Sequence, residues 1–167
     1  MKKNKLGDSD LMLSEIGLGT WAIGGGDWGM GWGRQDENDS IASILEALDQ
    51  GINWIDTAHA YGFGVAETAV GKALKEFKDD EVIVATKCGV LPEEDNKPIR
   101  FISRKTILEE VDGSLRRLGR DYIDLYQIHW PVPAENLVES WETLQELKKI
   151  GKIRWAGVCN CWERELE

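Results

Sequence analysis

The sequence predicts an α/β fold whose sheet consists of parallel strands. Short apolar runs alternate with amphipathic helical stripes along the whole chain. The runs are apolar on both faces, which is typical of parallel strands that are buried on both sides. Successive strand ends lie 30 to 40 residues apart. That spacing suits a (β/α) barrel of eight units in about 250 residues, whereas an open doubly wound sheet stays open as an alternative.

Each predicted element can be justified in order. The predicted strands span residues 16–20, 53–56, 82–86, 123–128 and 153–158, and the helical stripes span 41–48, 70–77, 107–118 and 138–150. The last stripe consists of Val138, Trp141, Leu144, Leu147 and Ile150. Ser103 is placed to cap the third helix, and Gly51, Gly119 and Gly151 are placed to end three of the helices in a left-handed conformation.

The sequence also predicts the structure of the two ends of the chain. The segment KLGDSDL lies between two short runs in the first 15 residues and predicts a β-hairpin ahead of the first barrel strand. A further helix begins at residues 161–167. We therefore expect a single barrel domain over residues 1–167 with about five of the eight strands of a TIM barrel, so that its C-terminal third is absent. The resulting open sheet edge offers a site for self-association.

Composition excludes several classes of partner. The net charge is −10 and no basic cluster is longer than Lys2-Lys3, which argues against nucleic acid and anionic membranes. A phosphorylated small molecule is not excluded, because one local site can be positively charged although the net charge of the chain is negative. No apolar run reaches the length of about 18 residues expected of a transmembrane helix, and no apolar core follows the N-terminal lysines. Three cysteines form no even framework, so we expect reduced thiols in the cytoplasm.

Four polar residues mark the C-terminal ends of the predicted strands. Asp56 and Tyr61 follow the second strand, Lys87 ends the third and His129 ends the fourth. Each has an ordinary interpretation alone: the aspartate can cap a helix, the lysine can reach solvent and the histidine can be a satisfied core residue. Because barrels place their functional groups on this rim, we expect the four side chains to converge.

The chemistry of these four residues is coherent. Asp56 closes an apolar strand, where a carboxylate is costly unless it is paired, and Lys87 is its predicted partner. A nearby ammonium also lowers the pKa of a tyrosine from its ordinary value of about 10. Tyr61 then becomes a proton donor for a carbonyl oxygen, and His129 binds that oxygen or shares in proton transfer. A hydride has to come from a cofactor, since no side chain supplies one.

The chain resembles the aldo-keto reductases. The segments GLGTWAIGG, GINWIDTAHAYGFGVAE, VIVATKCG, DYIDLYQIHWP and GKIRWAGVCN are similar to the motifs of that family and follow in the same order. The resemblance implies NAD(P)H-dependent reduction of aldehydes and ketones to alcohols. Tyr61 would be the general acid, Lys87 and His129 would tune and orient it, and Asp56 would support Lys87.

The resemblance also implies binding residues. Thr20, Trp21 and Asp56 would lie beside the cofactor, and Asn160 would hold the nicotinamide carboxamide. Trp21 and Trp130 would line the pocket of a small carbonyl substrate. Cys159 stands where the family usually has serine, and a thiol hydrogen-bonds more weakly than a hydroxyl. NADP(H) is the expected cofactor, with NAD(H) as the alternative, and the absent third is expected to weaken NADPH binding severely.

Other patterns point elsewhere. Residues 17–22 match G-x-G-x-x-A, but they run into GGGDWG instead of the helix that a dinucleotide fingerprint needs. Cys159 with Cys161 is half of a zinc pattern that has no second half. We therefore expect no metal. The loop 24–33 is rich in glycine and tryptophan, and predicts either a flap over the pocket or an anchored surface loop. A catalytically inactive partial barrel that acts as a binding or assembly subunit is the rival to the enzyme.

Overall fold

The structure is a computed structural model that describes residues 1–26, 28–78 and 81–165. The strands are β1 (Lys3–Lys5), β2 (Met12–Ser14), β3 (Leu18–Gly19), β4 (Trp54–Asp56), β5 (Ile83–Cys88), β6 (Val90–Pro92), β7 (Pro98–Arg100), β8 (Ile123–Ile128) and β9 (Ile153–Val158). The α-helices are α1 (Glu37–Asp49), α2 (Val65–Phe77), α3 (Arg104–Leu118) and α4 (Leu137–Lys149). β1 and β2 pair antiparallel, with Lys3 opposite Ser14, which confirms the predicted N-terminal hairpin.

The main sheet has the strand order β3-β4-β5-β8-β9, and every pair in it is parallel. Each new strand joins on the same side as the one before, whereas a doubly wound sheet reverses its order at a switch point. This order confirms the predicted parallel α/β class and is that of five consecutive barrel strands. Within the described residues, β3 and β9 each pair on one side only.

The predicted helix caps are confirmed. The Ser103 side chain caps α3 by accepting from the Thr106 backbone N–H, and the Thr106 hydroxyl accepts from the Ser103 backbone N–H, which makes a capping box. Gly119 ends α3 with a φ of 66°. Gly51 and Gly151 follow α1 and α4 with φ values of 89° and 80°. These left-handed positions favour glycine because it carries no Cβ.

Part of the predicted stripe on α4 is wrong. Leu144 and Leu147 are buried, but Val138 and Ile150 are 72% and 67% exposed, and Trp141 is 40% exposed. Residues spaced by three turn by about 300° per step, so five of them in a row drift around the helix instead of sharing one face. The small residues Ser140 and Thr143 complete the buried face of α4 instead.

Strand boundaries also differ from the prediction. β3 covers only residues 18–19, and Ile16, predicted as its start, is 60% exposed. β5 runs on to Cys88 and so includes Lys87. The β6–β7 hairpin was not predicted, since two prolines and the polar tip EEDNK hide its alternation. The helix predicted over 161–167 is a 3-10 turn at Glu163–Glu165, and residues 166–167 lie outside the described part.

The hydrophobic core lies between the sheet and the helices. Each helix contributes fully buried aliphatic side chains to it, among them Ile44, Val70, Val111 and Leu144. They pack against strand residues such as Ile55. This packing fixes where each strand ends and therefore where the polar rim lies. No helix in residues 1–26, 28–78 or 81–165 is both long and apolar enough to cross a bilayer.

Candidate active site

Three strands of the main sheet end at one rim, and each brings a polar side chain to it. β4 ends at Asp56, and Lys87 is the penultimate residue of β5. His129 follows the last residue of β8, and its backbone N–H donates to the Cys88 carbonyl oxygen at 2.8 Å. Parallel neighbours end on the same edge of a sheet. The three side chains therefore share the predicted rim, and Tyr61 joins them from the loop after β4.

Lys87 is the centre of the site. Its side chain is buried, and Nζ donates to Asp56 Oδ1 at 2.7 Å and to the Thr57 carbonyl oxygen at 2.9 Å. Nζ also lies 3.4 Å from the Tyr61 hydroxyl oxygen. The Asp56 side chain stays 34% exposed. This ion pair offsets the free energy of desolvating a carboxylate at the end of an apolar strand, because the buried Lys87 ammonium compensates its charge.

Tyr61 is held by a tight loop. Its backbone N–H donates to the Ala58 carbonyl oxygen at 3.1 Å, and its carbonyl oxygen accepts from the Ala66 N–H at 3.2 Å. The loop packs directly against Gly24, where a Cβ would lie 2.7 Å from the Tyr61 carbonyl carbon. A side chain at position 24 would therefore clash with the Tyr61 backbone, which gives that glycine a role in positioning Tyr61.

The acidity of Tyr61 differs from the prediction. Burial of the phenol raises the pKa of Tyr61 above its ordinary value, and the Asp56 charge raises it further. Lys87 lowers that pKa, as predicted, through its charge and its contact, but burial outweighs it. The prediction of a net lowered pKa is therefore wrong for the protein alone. Tyr61 keeps its proton at neutral pH, and Lys87 is the group that stabilises the phenolate when the proton leaves.

His129 faces the edge of Tyr61, with ring centroids 5.9 Å apart. Burial lowers the pKa of His129 to about 4, and the charges of Lys87 and Arg100 add to the effect. The imidazole is therefore neutral at neutral pH and acts as a hydrogen-bonding group instead of a cation. Its Nδ1 is buried and has no hydrogen-bond partner among the described residues.

Most of the candidate cofactor- and substrate-binding residues contact Tyr61, Asp56 or His129. Trp21 stacks with Tyr61 at a centroid distance of 6.3 Å and an interplanar angle of 15°. Asn160 Nδ2 donates to the His129 carbonyl oxygen at 2.8 Å and to Cys159 Sγ at 3.2 Å. Thr20 is fully buried, and its hydroxyl donates to the Asp56 carbonyl oxygen at 3.2 Å, so it supports the strand end from below.

Tyr61, His129, Trp21, Cys159 and Asn160 line a cavity of about 630 Å³, whereas Asp56, Lys87 and Thr20 do not line it. Its lining comprises Trp21, Trp28, Met30, Ala60, Tyr61, Val90, Glu93, Pro98, Ile99, Arg100, His129, Trp130, Cys159 and Asn160. A volume of this size is typical of a small-molecule site, which ranges from about 300 to 1,000 Å³. The predicted pocket residues Trp21 and Trp130 both belong to this lining.

The glycine- and tryptophan-rich loop forms part of the cavity wall. Trp28 is only 2% exposed and contacts Tyr61 and Phe63, with ring centroids 6.1 and 6.3 Å apart. The Trp21 indole N–H donates to the Met30 carbonyl oxygen at 3.0 Å, which ties the loop to the site. Residue 27 lies outside the described part. The sequence did not single out Trp28, although a tryptophan among glycines was a usable signal.

A second polar cluster, the Glu67–Arg117 network, lies between β5 and helices α2 and α3. Arg117 Nε donates to Glu67 Oε2 at 2.7 Å, and the Thr86 hydroxyl donates to Glu67 Oε1 at 2.6 Å. Arg117 also lies 3.1 Å from His59 Nδ1, in the loop that carries Tyr61. The network therefore joins the neighbour of Lys87 to the Tyr61 loop, and the sequence analysis missed it.

The other patterns find no support as sites. Within the described ranges, no cluster of three or more histidine, cysteine, aspartate or glutamate residues could hold a metal ion. Cys159 and Cys161 form no disulfide within the described residues. The G-x-G-x-x-A match over 17–22 leads into a 3-10 turn at Ala22–Gly24, whereas a dinucleotide fingerprint opens a helix.

Comparison with known proteins agrees with the geometry of the rim. The model of the aldo/keto reductase family matches residues 15–166. The chain is 52% identical over 161 residues to aldo-keto reductase YhdN of Bacillus subtilis, covering 96% of this chain and 47% of that protein. It is 46% identical over 173 residues to the NADH-specific methylglyoxal reductase of Escherichia coli, covering 96% and 52%.

Solved structures give the same result. The glycerol dehydrogenase AKR11B4 from Gluconobacter oxydans matches with a TM-score of 0.86 and 43% identity, over 99% of this chain and 50% of that one. The aldo-keto reductase AKR11C1 from Bacillus halodurans matches with a TM-score of 0.80 and 40% identity, over 95% and 50%. The chain thus spans about half the length of the relatives it matches, and its five parallel strands belong to their TIM-barrel fold. On the family match and these identities together, the chain is a member of the aldo-keto reductase family.

Proposed function

We propose that this chain carries the proton-transfer site of an NAD(P)H-dependent reductase that converts aldehydes and ketones to alcohols. One observation carries the proposal: Lys87 Nζ lies 2.7 Å from the Asp56 carboxylate and 3.4 Å from the Tyr61 hydroxyl at the edge of a cavity. A tyrosine that keeps its proton at neutral pH, with an ammonium beside it, suits the protonation of a carbonyl oxygen that becomes an alkoxide.

The residues present fit the nicotinamide end of the cofactor. The cavity offers the exposed indole face of Trp21 for a flat ring and the Asn160 amide for a carboxamide, both beside Tyr61. Trp21 and Asn160 would hold the ring, with Cys159 next to Asn160, whereas Asp56 and the fully buried Thr20 lie outside the cavity lining. When bound, the reduced nicotinamide supplies the hydride that no side chain provides.

Each residue of the site then has one task. The Tyr61 hydroxyl donates its proton to the carbonyl oxygen, and Lys87 stabilises the phenolate that is left. The neutral His129 imidazole donates a hydrogen bond to the same oxygen and orients it. Asp56 holds Lys87 in place. The apolar walls, chiefly Trp28 and Trp130, exclude water from the reacting atoms.

The choice of cofactor is a proposal of its own. NADP(H) is the expectation from the resemblance, while the Escherichia coli relative is named as NADH-specific. Both cofactors share the nicotinamide that the cavity fits, so we propose that the chain accepts NADP(H) and that NAD(H) is the competitor to test. A reducing compartment such as the cytoplasm is supported by the absence of a disulfide among the described cysteines, which are Cys88, Cys159 and Cys161.

A fluorescence titration of this chain with NADPH and with NADH tests the proposal. Trp21 is 46% exposed in the cavity, so a nicotinamide bound there should quench its emission. We expect saturable quenching that Trp21→Phe reduces and that Trp162→Phe, a change at a tryptophan 71% exposed and outside the cavity lining, preserves. Absence of quenching with either cofactor at millimolar concentration would contradict cofactor binding by this chain.

Lys87→Met is expected to shift the pH dependence of aldehyde reduction. Lys87 lowers the pKa of Tyr61, so its removal raises that pKa further above the ordinary value. Reduction needs the protonated tyrosine. The alkaline limb of the rate profile should therefore move to higher pH while the maximal rate falls, and alcohol oxidation, which needs the phenolate, should demand more alkaline conditions.

The matched control for that variant is Lys72→Met. Lys72 pairs with Glu37 at 2.7 Å on the surface of α2, so this change also breaks a lysine–carboxylate pair but leaves the rim untouched. The profile of Lys72→Met should coincide with that of the unsubstituted protein. An alkaline limb that stays in place in Lys87→Met would contradict the coupling between Lys87 and Tyr61.

The second candidate function is a catalytically inactive subunit that assembles through its sheet edge. The one-sided pairing of β3 and β9 within the described residues favours it, as do two exposed apolar side chains, Val138 on α4 and Ile150 directly after that helix. Sedimentation analysis with and without NADPH separates the two candidates. A stable dimer that neither binds cofactor nor reduces an aldehyde would support assembly, and a cofactor-binding monomer would exclude it.

A further inference from the structure

The β6–β7 hairpin places an arginine at a defined position in the cavity wall. The Gly89 backbone N–H, just before β6, donates to both oxygens of the buried Glu110 carboxyl group at 3.1 and 3.0 Å. At the other end, the fully buried Ile102 donates its N–H to the Val132 carbonyl oxygen at 2.8 Å. Both ends of the hairpin are therefore fixed, and Arg100, the last residue of β7, is held close to its base.

Arg100 lies over an aromatic ring of the cavity lining. Its guanidinium carbon is 3.7 Å from the centroid of the Trp130 ring, and both residues line the cavity. Stacking of this kind uses the face of the guanidinium and leaves the N–H donors on its edge available. Within residues 1–26, 28–78 and 81–165, no carboxylate forms a salt bridge with Arg100. Among the described residues, Arg100 therefore brings to the cavity lining a cation that has no salt-bridge partner.

The other charged side chains near the cavity do not neutralise the positive charge of Arg100. Lys87 is neutralised by Asp56, and the charge of Arg100 is felt at His129, where it contributes to the lowered pKa. Glu93 also lines the cavity, but it lies at the tip of the hairpin, whereas Arg100 lies at its base; both residues are exposed. A local cation of this kind can attract an anion even though the whole chain carries a net charge of −10.

We propose that Arg100 selects carbonyl substrates that carry an anionic oxygen group, a carboxylate or a phosphate ester, at the end remote from the carbonyl. The inference rests on the proposed function, since that function places the carbonyl oxygen at Tyr61 and His129. The planar guanidinium edge matches two oxygens of either group. Trp130 contacts Arg100 and directly follows His129 in the chain. The proposed anion site therefore lies next to the residue that binds the carbonyl oxygen.

Competing aldehydes test the proposal. We compare kcat/KM for para-carboxybenzaldehyde and para-formylphenyl phosphate with that for benzaldehyde, which has the same ring and no charge. We expect at least one anionic aldehyde to be preferred by about 10-fold, the effect of one charge-assisted contact. Arg100→Met should abolish the preference. Arg100→Lys should keep part of it, because it keeps the charge and loses the planar edge.

The matched control is Arg104→Met. Arg104 pairs with Glu146 on the outer surface and does not line the cavity, so its removal changes the net charge equally. It should leave the anionic preference intact. A preference that is the same in the unsubstituted protein, Arg100→Met and Arg104→Met would overturn the inference, as would the absence of any preference in the unsubstituted protein.

A binding measurement separates failure of this inference from failure of the proposed function. The affinities of para-(hydroxymethyl)benzoate and benzyl alcohol, measured by tryptophan fluorescence, require no hydride transfer. If benzaldehyde is not reduced but the benzoate still binds more tightly to the unsubstituted protein than to Arg100→Met, the proposed function fails and the anion site stands. If benzaldehyde is reduced but neither the rate ratio nor the affinity ratio responds to Arg100→Met, the anion site fails alone.

Discussion

Replacing Tyr61 by phenylalanine is expected to lower the rate of aldehyde reduction by about 100- to 10,000-fold, the usual contribution of a general acid. The change removes the hydroxyl that lies 3.4 Å from Lys87 Nζ and keeps the ring that stacks with Trp21. The cofactor should therefore bind as before, because the indole face stays in place. Single-turnover rates and a fluorescence titration on the same preparation measure the two effects separately.

The control is Tyr122→Phe. Tyr122 lies near Arg120 and Arg154, away from the cavity lining, so the loss of its hydroxyl should leave the rate unchanged. Reduction that proceeds at the unsubstituted rate in Tyr61→Phe would assign the proton to another group. Loss of cofactor binding together with the rate would instead mean that the phenol shapes the pocket, which would contradict the role of Tyr61 as proton donor.

Arg117→Met is expected to lower the free energy of unfolding by about 3 kcal/mol, because it leaves a buried carboxylate without its cation. The Glu67 side chain is fully buried and receives Arg117 Nε at 2.7 Å. Arg117 itself is 25% exposed, so water reaches the site in part, and we place the loss at the lower end of the usual range. Urea unfolding followed by circular dichroism gives the value.

Two further variants make that prediction specific. Arg116→Met removes the neighbouring, exposed arginine from the same helix and should change stability little. Adding Glu67→Gln to Arg117→Met removes the stranded charge and should recover part of the loss. Equal stability of Arg116→Met and Arg117→Met would contradict a structural role for the network. Because the network joins Thr86 to His59, we expect Arg117→Met to slow turnover as well.

The four rim residues could be predicted because their placement follows from topology. Once the strands are parallel, the strand ends at Asp56, Lys87 and His129 must share an edge, whatever their separation along the chain. The 2.7 Å contact between Lys87 and Asp56 follows from that geometry and from the cost of an unpaired carboxylate. The net acidity of Tyr61 could not be predicted in this way, since it depends on how deeply the phenol is buried.

Residues outside the regular elements were harder to predict. Arg100 reaches the cavity through the β6–β7 hairpin, whose two prolines and polar tip carry no clear alternation of apolar and polar residues. Arg117 and Glu67 are 50 residues apart and meet only because of the rotation of α2 and α3 about their axes. Val138 shows the same limit, since a three-residue repeat does not follow one helix face. Sequence periodicity locates elements, but side-chain direction decides these contacts.

The most direct test of the central claim follows the hydride with an isotopic label and tests the proton donor with the Tyr61→Phe variant in one experiment. The 167-residue chain is mixed with benzaldehyde and NADPH that carries deuterium at the hydride position, and the alcohol is analysed by mass spectrometry. The account predicts singly deuterated benzyl alcohol from the unsubstituted protein and from Tyr122→Phe, and almost none from Tyr61→Phe. Labelled alcohol from Tyr61→Phe at the unsubstituted rate, or none from a chain that binds the cofactor, would contradict it.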